Sequence, residues 1–170
     1  MRLRRNPDSG QASLETAVVL AAIIIPVTVG ALMVGQAVWT WAGIIHLTRL
    51  GAVYAASHCW QDSSGSNVVN YMQAHVPPMI DAQQITRGPA QIQVQYFTQD
   101  TASRQTVPFE CPESCSTTCA PDAVTVTITG YQFASLVRVL GLSPMTAPSF
   151  STTMHVESQG GNPDTGEAIP

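Results

Sequence analysis

The chain has 170 residues, of which 45% are apolar, only 11% charged and 6% aromatic. That length suits one modest domain. A net charge of −4, with seven arginines and no lysine, excludes a strongly basic nucleic-acid binder. The apolar content excludes a disordered chain, and a charge content far below the usual quarter points to a membrane segment.

The hydrophobicity is concentrated near the N-terminus. From Thr16 to Thr48 there is no Asp, Glu, Lys or Arg, and the densest stretch, Ala17 to Gly35, reads AVVLAAIIIPVTVGALMVG. A spanning helix needs about 20 apolar residues at ~1.5 Å each. Trp39 and Trp41 follow where an interfacial aromatic belt is expected, and Arg2, Arg4 and Arg5 precede the run. The positive-inside rule predicts a cytoplasmic N-terminus and an extracytoplasmic remainder beyond about Trp41. An ordinary cleaved signal has a shorter apolar core followed by a small-x-small site. Here the core is longer, begins behind an acid and has no such site.

That acid, Glu15, has two readings. Ser13 with an acid in the first turn makes a helix start. A carboxylate at the mouth of an apolar helix is also a functional hypothesis, because it needs a partner once desolvated. Pro26 removes one backbone hydrogen bond about three turns into the helix. Ala17/Ala21 and Ala31/Gly35 are small-xxx-small pairs that permit close helix approach, although small residues are common in spanning helices anyway.

The first helix is predicted from about Ser13 to Ser57, with Leu47, Leu50 and Tyr54 as its packing stripe. Ser63-Ser64-Gly65-Ser66 breaks the chain, and Val68 to Val76 reads as a short helix stopped by Pro77-Pro78. Three segments alternate as strands do: Ile92, Val94 and Tyr96 with glutamines between them; Val124, Val126 and Ile128 with threonines; and Phe150, Thr152, Met154 and Val156. They predict an antiparallel sheet with one face covered by the first helix. Tyr131 to Leu140 is expected to hold a short helix, and Gly160 to Pro170 a loose tail.

Cys59 sits just past the long helix; Cys111, Cys115 and Cys119 lie in a Pro/Ser/Thr-rich insertion. Outside the cytoplasm two disulfides are expected, with three possible connectivities. The alternative, a four-cysteine metal site, does not have the usual structural-zinc spacing. Catalytic patterns are missing: there is no G-x-S-x-G, P-loop, GxGxxG or HExxH, and His46, His58, His75 and His155 are scattered. His58 beside Cys59 invites a thiol nucleophile only if Cys59 is reduced. No catalytic, metal-binding or cofactor-binding residue is assigned, and the chain is expected not to be an enzyme.

The N-terminal segment RRNPDSG, then QASLETAVVLAAIIIPV, resembles the leader and helix start of type IV pilins and pseudopilins. HLTRLGAVYAAS, with Arg49, Gly51 and Tyr54, narrows the resemblance to TadE-like minor pilins of tight-adherence (Flp) systems; Thr16, where major pilins usually carry an aromatic, agrees with a minor one. The likeness is specific over roughly the first 57 residues and one of layout thereafter. It implies cleavage between Gly10 and Gln11, with Glu15 at mature position five paired to a neighbour's α-amine as a register device. Removing three arginines and Asp8 would take the net charge from −4 to −6. It implies these partners: a prepilin peptidase, the major Flp pilin, other TadE-like subunits, the membrane platform with its ATPase, and the lipid bilayer. No nucleic acid is expected.

The resulting expectation is an α+β, pilin-like chain: leader 1–10, transmembrane and extended helix 11–57, extracytoplasmic domain 58–159 with a Cys-rich insertion near 108–122, and tail 160–170. Its place is the inner membrane, single-pass, or an extracellular pilus. Two alternatives remain: an unprocessed, membrane-anchored binding module, and a membrane-tethered thiol enzyme.

Overall fold

The computed structural model describes residues 8–100, 103–116, 119–133, 141 and 143–156, with side chains from 13 onward. The expected tail at 160–170 and residues 1–7 of the expected leader lie outside the described residues. The chain divides into two compact units, Met1–Val38 and Trp39–Pro170.

The first unit is the N-terminal part of helix α1, which runs Asp8–Ser57. It starts earlier than the Ser13 expected. Its side chains are exposed nearly all round, including Leu14, Val18, Ile23, Ile25, Val27 and Leu32. The helix continues through Pro26. Two residues on, the Thr28 hydroxyl donates back within the helix to the carbonyls of Ile24 (2.8 Å) and Ile25 (2.9 Å).

The second unit is α+β. The rest of α1 is followed by α2 (Ser66–Ala74), α3 (Ala82–Thr86), β1 (Gln91–Gln99), β2 (Thr106–Pro108), β3 (Ala123–Thr129), β4 (Gln132–Phe133), β5 (Met145–Thr146) and β6 (Phe150–His155). The main sheet is antiparallel, in the order β2-β1-β3-β6; β4 and β5 form a separate ribbon. Val94 pairs with Val126 and Val124 with Met154, so apolar residues align on one face across three strands. That face joins Ile44, Leu47, Ala52, Val68 and Met72 in a single core.

The three strands anticipated from alternation are present, as is the short helix before Pro77. The packing stripe of α1 is different. Leu47 is fully buried, but its companions are Ile44, Thr48, Gly51, Ala52 and Ala55, with Leu50 and Tyr54 half-buried at the flanks. Small residues let another helix approach, so the buried face centres on them and not on the bulkiest side chains. The helix expected over Tyr131–Leu140 is corrected at its start, because Gln132 and Phe133 pair with Thr146 and Met145 as strand. Residues 134–140 lie outside the described residues. The preceding turn explains this: Gly130 has φ +73, and a Cβ there would come 2.6 Å from the Pro89 carbonyl oxygen. Only glycine combines that dihedral with that approach.

Candidate functional site

The sequence singles out two regions. Gly10 and Gln11 fall in the first turns of α1, and their side chains lie outside the described residues. Glu15 is on the same helix, exposed, immediately before the uncharged run. With Pro26 these residues all belong to the first unit.

The second region is the cysteine-rich loop. Cys59 is bonded to Cys115 and Cys111 to Cys119, with Cα separations of 4.9 and 5.9 Å. Two disulfides were expected, and this is one of the three open connectivities. All four cysteines are paired, so Cys59 is not a free thiol. Its neighbour His58 stacks on Tyr54 (centroids 3.8 Å) and turns Nδ1 to the Tyr54 carbonyl at 3.0 Å, an end-of-helix role. Tyr54 stacks in turn on Tyr71 (3.9 Å), and Tyr71 on His75 (4.2 Å), joining the C-terminal ends of α1 and α2.

Beside the disulfides is an open cleft of about 470 Å³, lined by Trp60, Gln61, Asp62, Glu110, Cys111 and Ser114 among others. Trp60 is 7% exposed and packs edge-on against Phe109 (5.5 Å). Asp62 organises the turn into α2. It accepts from the Ser64 backbone N–H (2.8 Å), the Ser66 backbone N–H (3.3 Å) and the hydroxyls of both serines. The two hydroxyls, then the two N–H groups, hold its carboxyl down to about 2. A carboxylate saturated with donors is an anchor and not a proton shuttle. No group of three His, Cys, Asp or Glu side chains placed to hold a metal occurs among the described residues.

Sequence reasoning missed two ties. The Gln84 amide satisfies both backbone groups of Gln132, donating to its carbonyl (2.9 Å) and accepting from its N–H (2.8 Å). The Asp81 backbone N–H donates to the Tyr131 hydroxyl at 3.0 Å. No sequence signal marks the first. The turn before α2, by contrast, was visible as the Ser63-Ser64-Gly65-Ser66 break, although the Asp62 that anchors it was not singled out.

Comparisons of the chain with protein-family models, with curated protein sequences and with solved structures give no match.

Proposed function

We propose that this protein is a TadE-like minor pilin. In this reading it is inserted in the inner membrane with its N-terminus in the cytoplasm and is cut between Gly10 and Gln11. It then joins or primes a tight-adherence pilus used for surface attachment. The observation that carries the reading is the order along one N-terminal segment: in sequence a basic leader ending in Gly10 and Glu15 five residues on, then an exposed, uncharged apolar helix surface. A helix that is apolar all round needs lipid or protein about it. This one is long and apolar enough to cross a membrane. The two disulfides favour an oxidising compartment for the second unit, hence the extracytoplasmic side.

In the proposed mechanism, Glu15 and the amine exposed at Gln11 are desolvated when subunits pack. An unpaired buried charge costs several kcal/mol, so only the register that pairs amine with carboxylate is tolerated. The partners would be a prepilin peptidase, the major Flp pilin, other TadE-like subunits and the membrane platform.

The test is the N-terminal residue of membrane-extracted protein from cells with an active prepilin peptidase. A chain beginning at Gln11, together with loss of filament incorporation in Glu15→Gln, is the expected result. An intact Met1 would overturn the reading in favour of an anchored binding module.

A further inference from the structure

The exposed apolar side chains of the second unit are unevenly distributed. Among the described residues the large ones are Trp39, Trp41, Val53, Val107 and Met145. Trp39 (64% exposed), Trp41 (42%) and Met145 (61%) belong to one end, the end at which α1 enters the unit. Contacts assemble that end. Trp41 packs edge-on against Phe150, the first residue of β6 (4.7 Å). The Thr40 hydroxyl lies 3.5 Å from the Met79 carbonyl oxygen. The Asp81 N–H, two residues further, donates to the Tyr131 hydroxyl, and the Tyr131 carbonyl accepts from the N–H of Ala147 (2.7 Å), two residues from Met145. Pro78 and Pro148, in the same two segments, are exposed. Charge is segregated the other way. Asp62, Asp100, Glu110, Glu113 and Asp122 lie at the opposite end, around the disulfides and the Gln99 end of β1. Over 39–43, 77–90, 129–133 and 145–150 the only charged residues are Asp81 and Arg87, which cancel.

From this we propose that the Trp39 end of the second unit rests in the headgroup region of a phospholipid bilayer, a second membrane contact beside the helix itself. The proposal rests on reading α1 as a membrane span, and not on cleavage at Gly10 or on filament assembly. Chain continuity is the first argument. The densest apolar run closes at Gly35, so only about 6 Å of helix separates it from Trp39. Composition is the second. Tryptophan favours the interface because its ring is apolar and its N–H polar. Methionine and proline add apolar area there without charge, and the flexible thioether of Met145 adapts to an irregular surface. Charge is the third. Anionic headgroups repel carboxylates, so gathering the acids at the far end is the distribution a bilayer favours. A protein partner on the near end would place no such demand on the far one.

The test uses the full chain, a single copy in each nanodisc of phosphatidylcholine and phosphatidylglycerol. All four native cysteines are bonded, so an introduced cysteine gives a single thiol for an environment-sensitive fluorophore. Met145→Cys and Pro78→Cys probe the proposed contact. Val107→Cys, exposed on β2 at the far end, reports water, and Val34→Cys, exposed in the first unit, reports the span. Near-ultraviolet circular dichroism checks folding of each. The quenchers are lipid with a nitroxide on its headgroup, lipid with a nitroxide on its acyl chain, and aqueous iodide. At 145 and 78 the expected result is blue-shifted emission that is lost to the headgroup nitroxide and protected from iodide. At 107 emission should be lost to iodide alone, and at 34 to the acyl-chain nitroxide. Iodide quenching at 145 and 78 equal to that at 107 would overturn the proposal while the span stands. No response to the acyl-chain nitroxide at 34 would remove the span, and the proposal with it. Shielding at 145 that appears only with two copies in a disc would assign this end to a second copy, which also overturns it.

Discussion

A β-carbon on Gly51 of α1 would lie 2.9 Å from Cγ of Met72 on α2 and closer still to its sulfur. Met72 is fully buried, so its side chain has little room to retreat. The α1–α2 contact therefore depends on the missing side chain at position 51. Gly51→Ala should destabilise the domain by about 1–2 kcal/mol net, overpacking of about 1–3 kcal/mol being offset in part by Ala's better helix propensity. Met72→Ala alone should cost about 2–5 kcal/mol for its cavity. Combined, the two should cost less than their sum by at least about 1 kcal/mol, measured as a double-mutant cycle in urea denaturation. An additive cycle would refute the contact.

Gly65 and Gly141 separate backbone strain from space. Both have positive φ, +62 and +70, but a Cβ on Gly65 would meet Val94 Cβ at 2.6 Å, while at Gly141 none of the described residues lies within 4 Å of that position. Gly141→Ala should therefore cost only the left-handed penalty of about 1–2 kcal/mol, and Gly65→Ala about 2–4 kcal/mol, since the β-branched Val94 belongs to a central strand. Equal losses in thermal denaturation would remove Val94 from the account.

The two disulfides should differ in worth. Cys59–Cys115 spans 56 residues of sequence and Cys111–Cys119 only 8. Loop-closure entropy gives about 4 kcal/mol for the first and about 2.5 kcal/mol for the second. Replacing each pair with serines and comparing denaturation midpoints checks the order. Mass mapping of the oxidised protein checks the connectivity.

Carboxylates and a buried tyrosine set opposite pH limits. Asp62 is depressed to about 2 by the serine donors around it, so its contribution is complete above its ordinary value near 4 and is lost as pH falls from about 4 to about 2. Asp122 is lowered too, chiefly by the Gln99 N–H (2.6 Å) and then the Thr98 hydroxyl (2.8 Å), so it acts in the same direction. Tyr96, 4% exposed, is pushed up to about 12, mainly by burial and then by the nearby Asp62 charge. Its contribution holds below pH 10 and disappears as pH rises from about 10 to about 12. Asp62→Asn should flatten the acid limb of a stability–pH curve, and Tyr96→Phe the alkaline limb.

Gln84→Glu tests the side-chain tie to Gln132. One carboxylate oxygen would face the Gln132 carbonyl, where the amide now donates. A loss of about 1–3 kcal/mol is expected near neutral pH. It should shrink as the carboxyl protonates and regains a donor, whereas a purely steric loss would not change with pH.

Legibility from sequence followed the physics of each element. β1, β3 and β6 were readable because each alternates on one half-buried face. β2, wholly exposed, offers no such contrast, and two-residue β4 and β5 are too short for a period to show. The apolar run of α1 announced itself by composition. Its packing stripe did not, because glycine and alanines at a close helix contact look like filler beside Leu50 and Tyr54. The cysteines signalled disulfides, but their pairing depends on where the loop folds back, as with the Cys115 N–H donating to the Trp60 carbonyl at 2.8 Å. The Gly10, Glu15 and Pro26 pattern rests on order along one segment, so it could be read without any tertiary structure.

The Cys59–Cys115 bond also sets how the chain would bear tension. A pull transmitted along α1 reaches Cys59 two residues past the helix end and crosses the sulfurs to Cys115, eight residues before β3. Helices α2 and α3 and strands β1 and β2 lie within the bridged stretch, outside the covalent load path. Roughly 190 Å of chain that could otherwise pay out is shunted, so stretching can extend only α1 and what lies beyond the clasp.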